Sequence, residues 1–191
     1  MINLSTLVSF FLMLTGLSSC VAANGVVPLA KVDLSRIAGG WYIVATIPNF
    51  LERGVIGGYD VFSLEPAGIR EDFYMQLHSF DSERQHFTVS ITVRPNTGNA
   101  DWRVQVLPFV SMPFQVLYTD PTYKFVLFGE QNREWGWIYS RTKQISDSDY
   151  QAMLGQFARL GYDTSKFLKF IQTPEQIGQP GYWSDGIKDR D

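Results

Sequence analysis

The chain has 191 residues, 45% of them hydrophobic and 18% charged, a composition that builds a folded core and excludes a disordered chain. Lys and Arg number 16 against 19 Asp and Glu, a net charge of -3 with no basic run, so nothing supplies the phosphate-neutralising footprint that a nucleic-acid partner requires. The single cysteine excludes an internal disulfide, and aromatic residues reach 15%.

Between Met1 and Ala30 there is no charged side chain, and residues 4–17 are mostly Leu, Phe, Val and Met. That run is short of the roughly 20 apolar residues a spanning helix needs, and reads as the hydrophobic region of a signal peptide. Leu17-Ser18-Ser19-Cys20 then resembles the lipobox of bacterial lipoproteins, which implies acylation at Cys20 and its exposure as the mature N-terminus. The competing reading is cleavage after Ala22 or Ala23, with Cys20 discarded and the chain secreted or periplasmic. Both readings lack the usual Lys or Arg near Met1. Residues 1–19 are therefore set apart as a leader, and 20–31 as a linker. Val21, in place of the Asp that favours inner-membrane retention, points to the outer membrane.

Eight short segments follow with apolar and polar residues alternating: 41–47, 58–64, 72–80, 86–94, 102–107, 114–118, 124–128 and 134–141. In the fourth, Phe87, Val89, Ile91 and Val93 share one face, while Thr88, Ser90 and Thr92 share the other. Pro66-Ala67-Gly68, Asp81-Ser82-Glu83-Arg84, Pro95-Asn96-Thr97-Gly98-Asn99 and Gln131-Asn132-Arg133 supply the turns. The pattern is an antiparallel all-β domain, either a closed barrel or a sandwich. A helix comes next. Ser146 with Asp149 has capping-box spacing, Tyr150, Met153, Leu154 and Phe157 form one apolar stripe, and Gly161 ends it. The apolar run 167–171 adds a last strand, and residues 173–191 read as an irregular, exposed tail.

Gly39-Gly40-Trp41 before the first strand, Thr119-Asp120-Pro121-Thr122-Tyr123 between the sixth and seventh, and Arg141 closing the eighth resemble the three motifs of the lipocalin family. The likeness spans 32–172. Within the family it extends to bacterial outer-membrane lipocalins and their apolipoprotein D relatives, through Phe50-Leu51-Glu52-Arg53-Gly54 and Gly161-Tyr162-Asp163-Thr164. The resemblance implies an eight-stranded up-and-down barrel with one C-terminal helix packed outside, Trp41 as a plug under the Arg141 guanidinium, and 48–58 as a gate at the open end. It also implies a lipid-anchored protein on the periplasmic face of the outer membrane that binds, stores or transports a fatty acid such as palmitate, a lysophospholipid or a similar amphiphile.

Alternation nominates the lining. Phe73, Met75 and Leu77 share one face, as do Phe87, Val89 and Ile91, Trp102 and Val104, Phe114 and Val116, and Trp135, Trp137 and Tyr139. Fully burying a 16-carbon chain is worth on the order of 10 kcal/mol at about 0.8 kcal/mol per methylene. The alternatives are a barrel filled by these aromatics, with an envelope structural role, and an enzyme using His78 or a barrel tyrosine on an apolar substrate. His78, Arg70 and Arg94 are candidates for a lipid head group near the mouth, or for plain solvated surface. No cofactor is indicated, His78 and His86 lack metal-ligand spacing, and Glu71-Asp72, adjacent in a strand, face opposite ways. No nucleophile elbow or phosphate loop occurs, so no reaction is asked for.

Overall fold

The computed structural model describes Leu29, residues 31–107 and residues 109–188. The leader and Cys20 lie outside them. Leu29, placed in the linker by sequence, donates its N–H to the Val116 carbonyl at 2.9 Å and packs against the barrel's inner cluster.

The alternating segments form β1 Gly39–Thr46, β2 Val55–Glu65, β3 Gly68–Leu77, β4 Gln85–Val93, β5 Asp101–Leu107, β6 Val110–Thr119, β7 Phe125–Gly129 and β8 Gly136–Ser140. Each pairs antiparallel with the next, and β1 pairs with both β8 and β2, so the sheet closes. Closure leaves no free edge and encloses an interior about one small ligand wide. Turn chemistry moves some boundaries. β3 begins at Gly68, because Glu65 pairs with Gly68 and only Pro66 and Ala67 make the turn. β8 begins at Gly136, because the Glu130 carboxylate accepts the N–H groups of Asn132 and Glu134 at 2.9 and 2.7 Å and holds them in a loop.

The closed end is latched by the three sequence motifs. A short helix, α1 Leu34–Ile37, precedes β1, and the Trp41 indole N–H donates to the Ile37 carbonyl at 2.6 Å. The Arg141 guanidinium lies 3.6 Å from the centre of the Trp41 ring. It donates to the carbonyls of Arg36, Gly40 and Ala38 at 2.6, 2.7 and 3.1 Å. A rigid fork of donors over an aromatic face suits arginine and no other side chain. Between β6 and β7, Asp120 accepts the N–H groups of Thr122 and Phe125 at 3.0 and 2.6 Å, while Pro121 offers its carbonyl to Arg36 at 3.0 Å. Tyr123 lies under the Arg36 guanidinium and accepts the N–H of Asp33, and Thr119 pairs with Val126.

At the open end the β1–β2 ladder stops at Tyr42↔Tyr59, and the strands part. The chain beyond the second helix fills the seam. Of the expected last strand only β9, Leu168–Lys169, is in a ladder, paired with Ala45 and Thr46. The Gln172 amide donates to the carbonyls of Ile43 and Gly58 at 2.7 and 2.8 Å, bridging the parted strands. Phe170 enters the interior cluster here. A Cβ on Gly58 would stand 3.1 Å from its ring, a tight contact that favours glycine at this close approach.

The second helix, α2 Asp147–Arg159, is capped by Ser146, which accepts the Asp149 N–H at 3.0 Å. It ends where Gly161 takes φ 81, a left-handed turn that costs glycine little. Tyr150, Met153 and Phe157 pack outside the barrel on Val44, Leu117, Phe125, Leu127 and Ile138. The tail corrects one expectation. It is irregular, but Trp183 is buried in the interior cluster, and its N–H donates to the Lys169 carbonyl at 2.9 Å. Further along, Asp185 accepts the Gly54 N–H and pairs with Arg53, and Gly186 accepts a hydrogen bond from His78 Nδ1 at 2.6 Å.

Two substitutions test this architecture by chemical denaturation. Phe170→Ala, which empties the seam, is expected to cost about 3–5 kcal/mol. Arg141→Lys, which keeps the charge and loses the fork, is expected to cost about 1–3 kcal/mol, and an unchanged midpoint in either variant counts against the role assigned to that residue.

Candidate functional site

The interior is divided along the barrel axis. The closed half is solid: Trp41, Phe62, Ile91, Trp102, Val116 and Phe128 are all 2% exposed or less. Phe128 stacks on Phe114 with ring centres 4.3 Å apart and tilts against Trp102 at 5.4 Å. The open half retains a cavity of about 230 Å³. That is below the ~300–1,000 Å³ of a drug-sized pocket, and it admits one slender chain.

Eight of the lining residues read from the sequence meet at this cavity: Phe73, Phe87, Val89, Val104, Phe114, Trp135, Trp137 and Tyr139. Met75, Leu77, Ile91, Trp102 and Val116 face inward too, but pack in the interior cluster without bordering the space. Parity found the inner face; it carries no information about height along the axis. The rim is apolar, with Phe50, Leu51, Phe87 and Phe109 exposed by 78, 57, 49 and 102%. The loop between β1 and β2 forms one side of the mouth. It is folded by Asn49, whose Oδ1 accepts the N–H groups of Leu51 and Glu52 at 3.1 and 3.2 Å.

Three carboxyl groups border the cavity, and sequence reading nominated none of them: Glu52, Asp60 and Glu71. The β2–β3 register sets Asp60 opposite Phe73 and Phe62 opposite Glu71, which brings Asp60 and Glu71 side by side on the inner face. A signal was present, since Glu71 shares parity with Phe73 and Asp60 with Phe62. Asp72, on the outer face, is a separate group, bonded by Arg70, His86 and Thr88 at 2.9, 3.0 and 2.7 Å. Arg70 and Arg94 are surface ion pairs with Asp72 and Asp101, and His78 is tied to the tail, so none of the three meets the cavity.

Glu52 is well served. The Trp137 indole N–H and the Asn49 amide donate to it at 2.9 and 2.7 Å. Burial nevertheless raises its pKa, with these donors opposing the shift. Glu71 is pushed up to about 7, first by burial and then by the charge of Glu52, against a lowering influence of the neighbouring Asp60 carboxyl. Asp60 is only 1% exposed, and neither of its carboxylate oxygens has a hydrogen-bond partner. It lies beside Glu71 and the Tyr139 hydroxyl, and burial followed by repulsion from Glu71 drives its pKa well above the carboxylate range. Tyr139 is likewise raised, by burial and then by the same carboxylates. Among the described residues no group of His, Cys, Asp or Glu has the geometry to hold a metal ion.

A closed antiparallel barrel with a largely apolar cavity is an architecture that binds small hydrophobic molecules. Residues 32–172 match the family model for a lipocalin-like domain, and the chain belongs to the lipocalin family. It is 30% identical over 161 residues to the outer membrane lipoprotein Blc of Escherichia coli K12, spanning 82% of this chain and 88% of that protein. With temperature-induced lipocalin-1 of Arabidopsis thaliana the identity is 27% over 168 residues, 82% and 89% of the two chains. Among solved structures, lobster apocrustacyanin A1 superposes with a TM-score of 0.60 at 16% identity, covering 78% of this chain and 92% of that one. Insecticyanin from the tobacco hornworm Manduca sexta gives the same TM-score at 19% identity, covering 76% and 83%.

The raised Glu71 pKa has a consequence for stability. The native state holds a proton that the unfolded chain releases near 4.5, so stability falls as pH rises from there to about 7. At about 1.4 kcal/mol per unit the loss is on the order of 3 kcal/mol. Glu71→Gln, neutral throughout, is expected to unfold at higher temperature than wild type at about pH 8 and to lose most of that advantage at about pH 5. Parallel pH profiles for the two proteins would remove the assignment.

Proposed function

We propose that this lipocalin is anchored to the outer membrane through acylated Cys20, faces the periplasm, and carries single-chain amphiphiles of the fatty acid or lysophospholipid kind. In this reading residues 1–19 are the removed leader and 20–31 the tether. The observation that carries it is the cavity: about 230 Å³, walled by Phe73, Phe87, Val104 and Trp135, beneath an apolar rim. Support for the anchor comes from Leu17-Ser18-Ser19-Cys20 and from similarity to a relative named as an outer membrane lipoprotein. More than one acyl chain makes such attachment lasting. A fatty acid enters tail first, its carboxylate at the mouth and away from Asp60 and Glu71.

One observation favours a second reading. A titratable pair inside the cavity is what separates an enzyme on this fold from a pure carrier, and Asp60 with Glu71, beside Tyr139, is such a pair. Paired carboxyls of raised pKa are the equipment of general acid–base chemistry on an apolar substrate, an isomerisation, dehydration or epoxide opening. Incubation with a long-chain epoxide tests it. Turnover abolished by Asp60→Asn supports an enzyme, and no turnover leaves the carrier.

Mass spectrometry of the purified full chain is expected to find a displaceable single-chain lipid; neither such a lipid nor saturable binding of a fluorescent fatty acid would sink the carrier reading. Radioactive palmitate is expected to label the wild type and not Cys20→Ala. Equal labelling of both removes the anchor.

A further inference from the structure

The carrier reading says nothing of why an apolar calyx ends in carboxyl groups. Burial of a polar group without a partner is rare in native proteins, and each case calls for an explanation. Asp60 is such a case, fully buried at the cavity wall with both oxygens unbonded. Its neighbours serve it poorly: Glu71 is a second acid that competes for the same proton, Glu52 is committed to Trp137 and Asn49, and Tyr139 has one proton to give. Among the described residues bordering the cavity there is no Lys, Arg or His. The missing group is a donor with positive charge, and the open cavity is the route by which it arrives.

We propose that Asp60 and Glu71 form a receptor for the protonated primary amine of a single-chain amphiphile, which enters the calyx head first. The proposal rests on the carrier reading and narrows it to ammonium-bearing ligands. Three N–H donors at one point match two adjacent carboxyl groups that an arriving cation favours in ionised form, and the aromatic residues Phe114, Trp137 and Tyr139 border the same cavity. The apolar stem then lies along Phe73, Phe87, Val89 and Val104. A carboxylate head meets acids and no cation at the same place, which disfavours a fatty acid in this orientation. The ammonium belongs either to a simple long-chain amine or to an ethanolamine head group.

Binding to the full chain is read from Trp135 and Trp137 fluorescence, with decylamine, decanol, decanoate and a lysophosphatidylethanolamine of equal chain length, each below its micellar concentration. At about pH 8 an ammonium carrier is expected to bind about tenfold or more tighter than decanol and decanoate. The better of the two carriers names the source of the amine. Asp60→Asn and Glu71→Gln are each expected to reduce amine binding to the level of decanol while decanol itself stays within about twofold, which also reports that the variant is folded. Lowering the pH through about 7 should erase the preference as Glu71, flanked by Asp60, Glu52 and Tyr139, takes up its proton. Equal binding of all the probes to wild type, or amine affinity unchanged in both variants, overturns the receptor and leaves the carrier standing. No saturable binding of any probe overturns both.

Discussion

Every strand of a barrel must find two neighbours, and β1 is where this chain meets that requirement with most difficulty. Its partnership with β2 lasts from Gly39 to Tyr42, after which β2 shifts register between Ile56 and Tyr59 and swings away. A seam left there would expose unpaired backbone and drain the cavity into solvent. The chain solves this with its own C-terminal third. Phe170 supplies apolar volume, Gln172 supplies two donors to the parted backbones, and Trp183 seals from the tail. Much of the rest follows from that plug. The helix α2, packed outside with Phe167, must run where the chain after it reaches the seam at Phe170, and the tail, once across it, hooks Arg53 and Gly54 and so fixes one side of the mouth.

The barrel is thus a container with one opening. Its closed end is held by hydrogen bonds to a single guanidinium and filled by rings; its open end is walled by side chains with little to offer water. Placing carboxyl groups at the boundary between those halves has a definite physical result. With few donors nearby and no opposite charge, desolvation dominates, and the acids hold their protons far above the ordinary range. The empty cavity therefore carries less negative charge than its three carboxyl groups would in water, a chemistry that an all-apolar calyx does not have.

The sequence alone determined the strand count and the helix with its caps, and the resemblance to the lipocalin motifs implied the latch of Trp41 and Arg141. Strands and helix depend on periods of two and of 3.6 and on side chains that act on backbone a few residues away, whereas Arg141 reaches carbonyls about a hundred positions back. Inward parity was equally legible, which is why eight lining residues were found together. What only the tertiary structure decided is everything set by relative height and register. Whether Trp102 fills the floor or Phe87 edges the mouth depends on barrel stagger, and Trp183 is buried because a remote strand parted. Asp60 and Glu71 are eleven positions apart and lie on different strands; a shift of one residue in the β2–β3 ladder would turn one of them to solvent. Their pairing, and the chemistry it offers a ligand, is a property of the closed sheet.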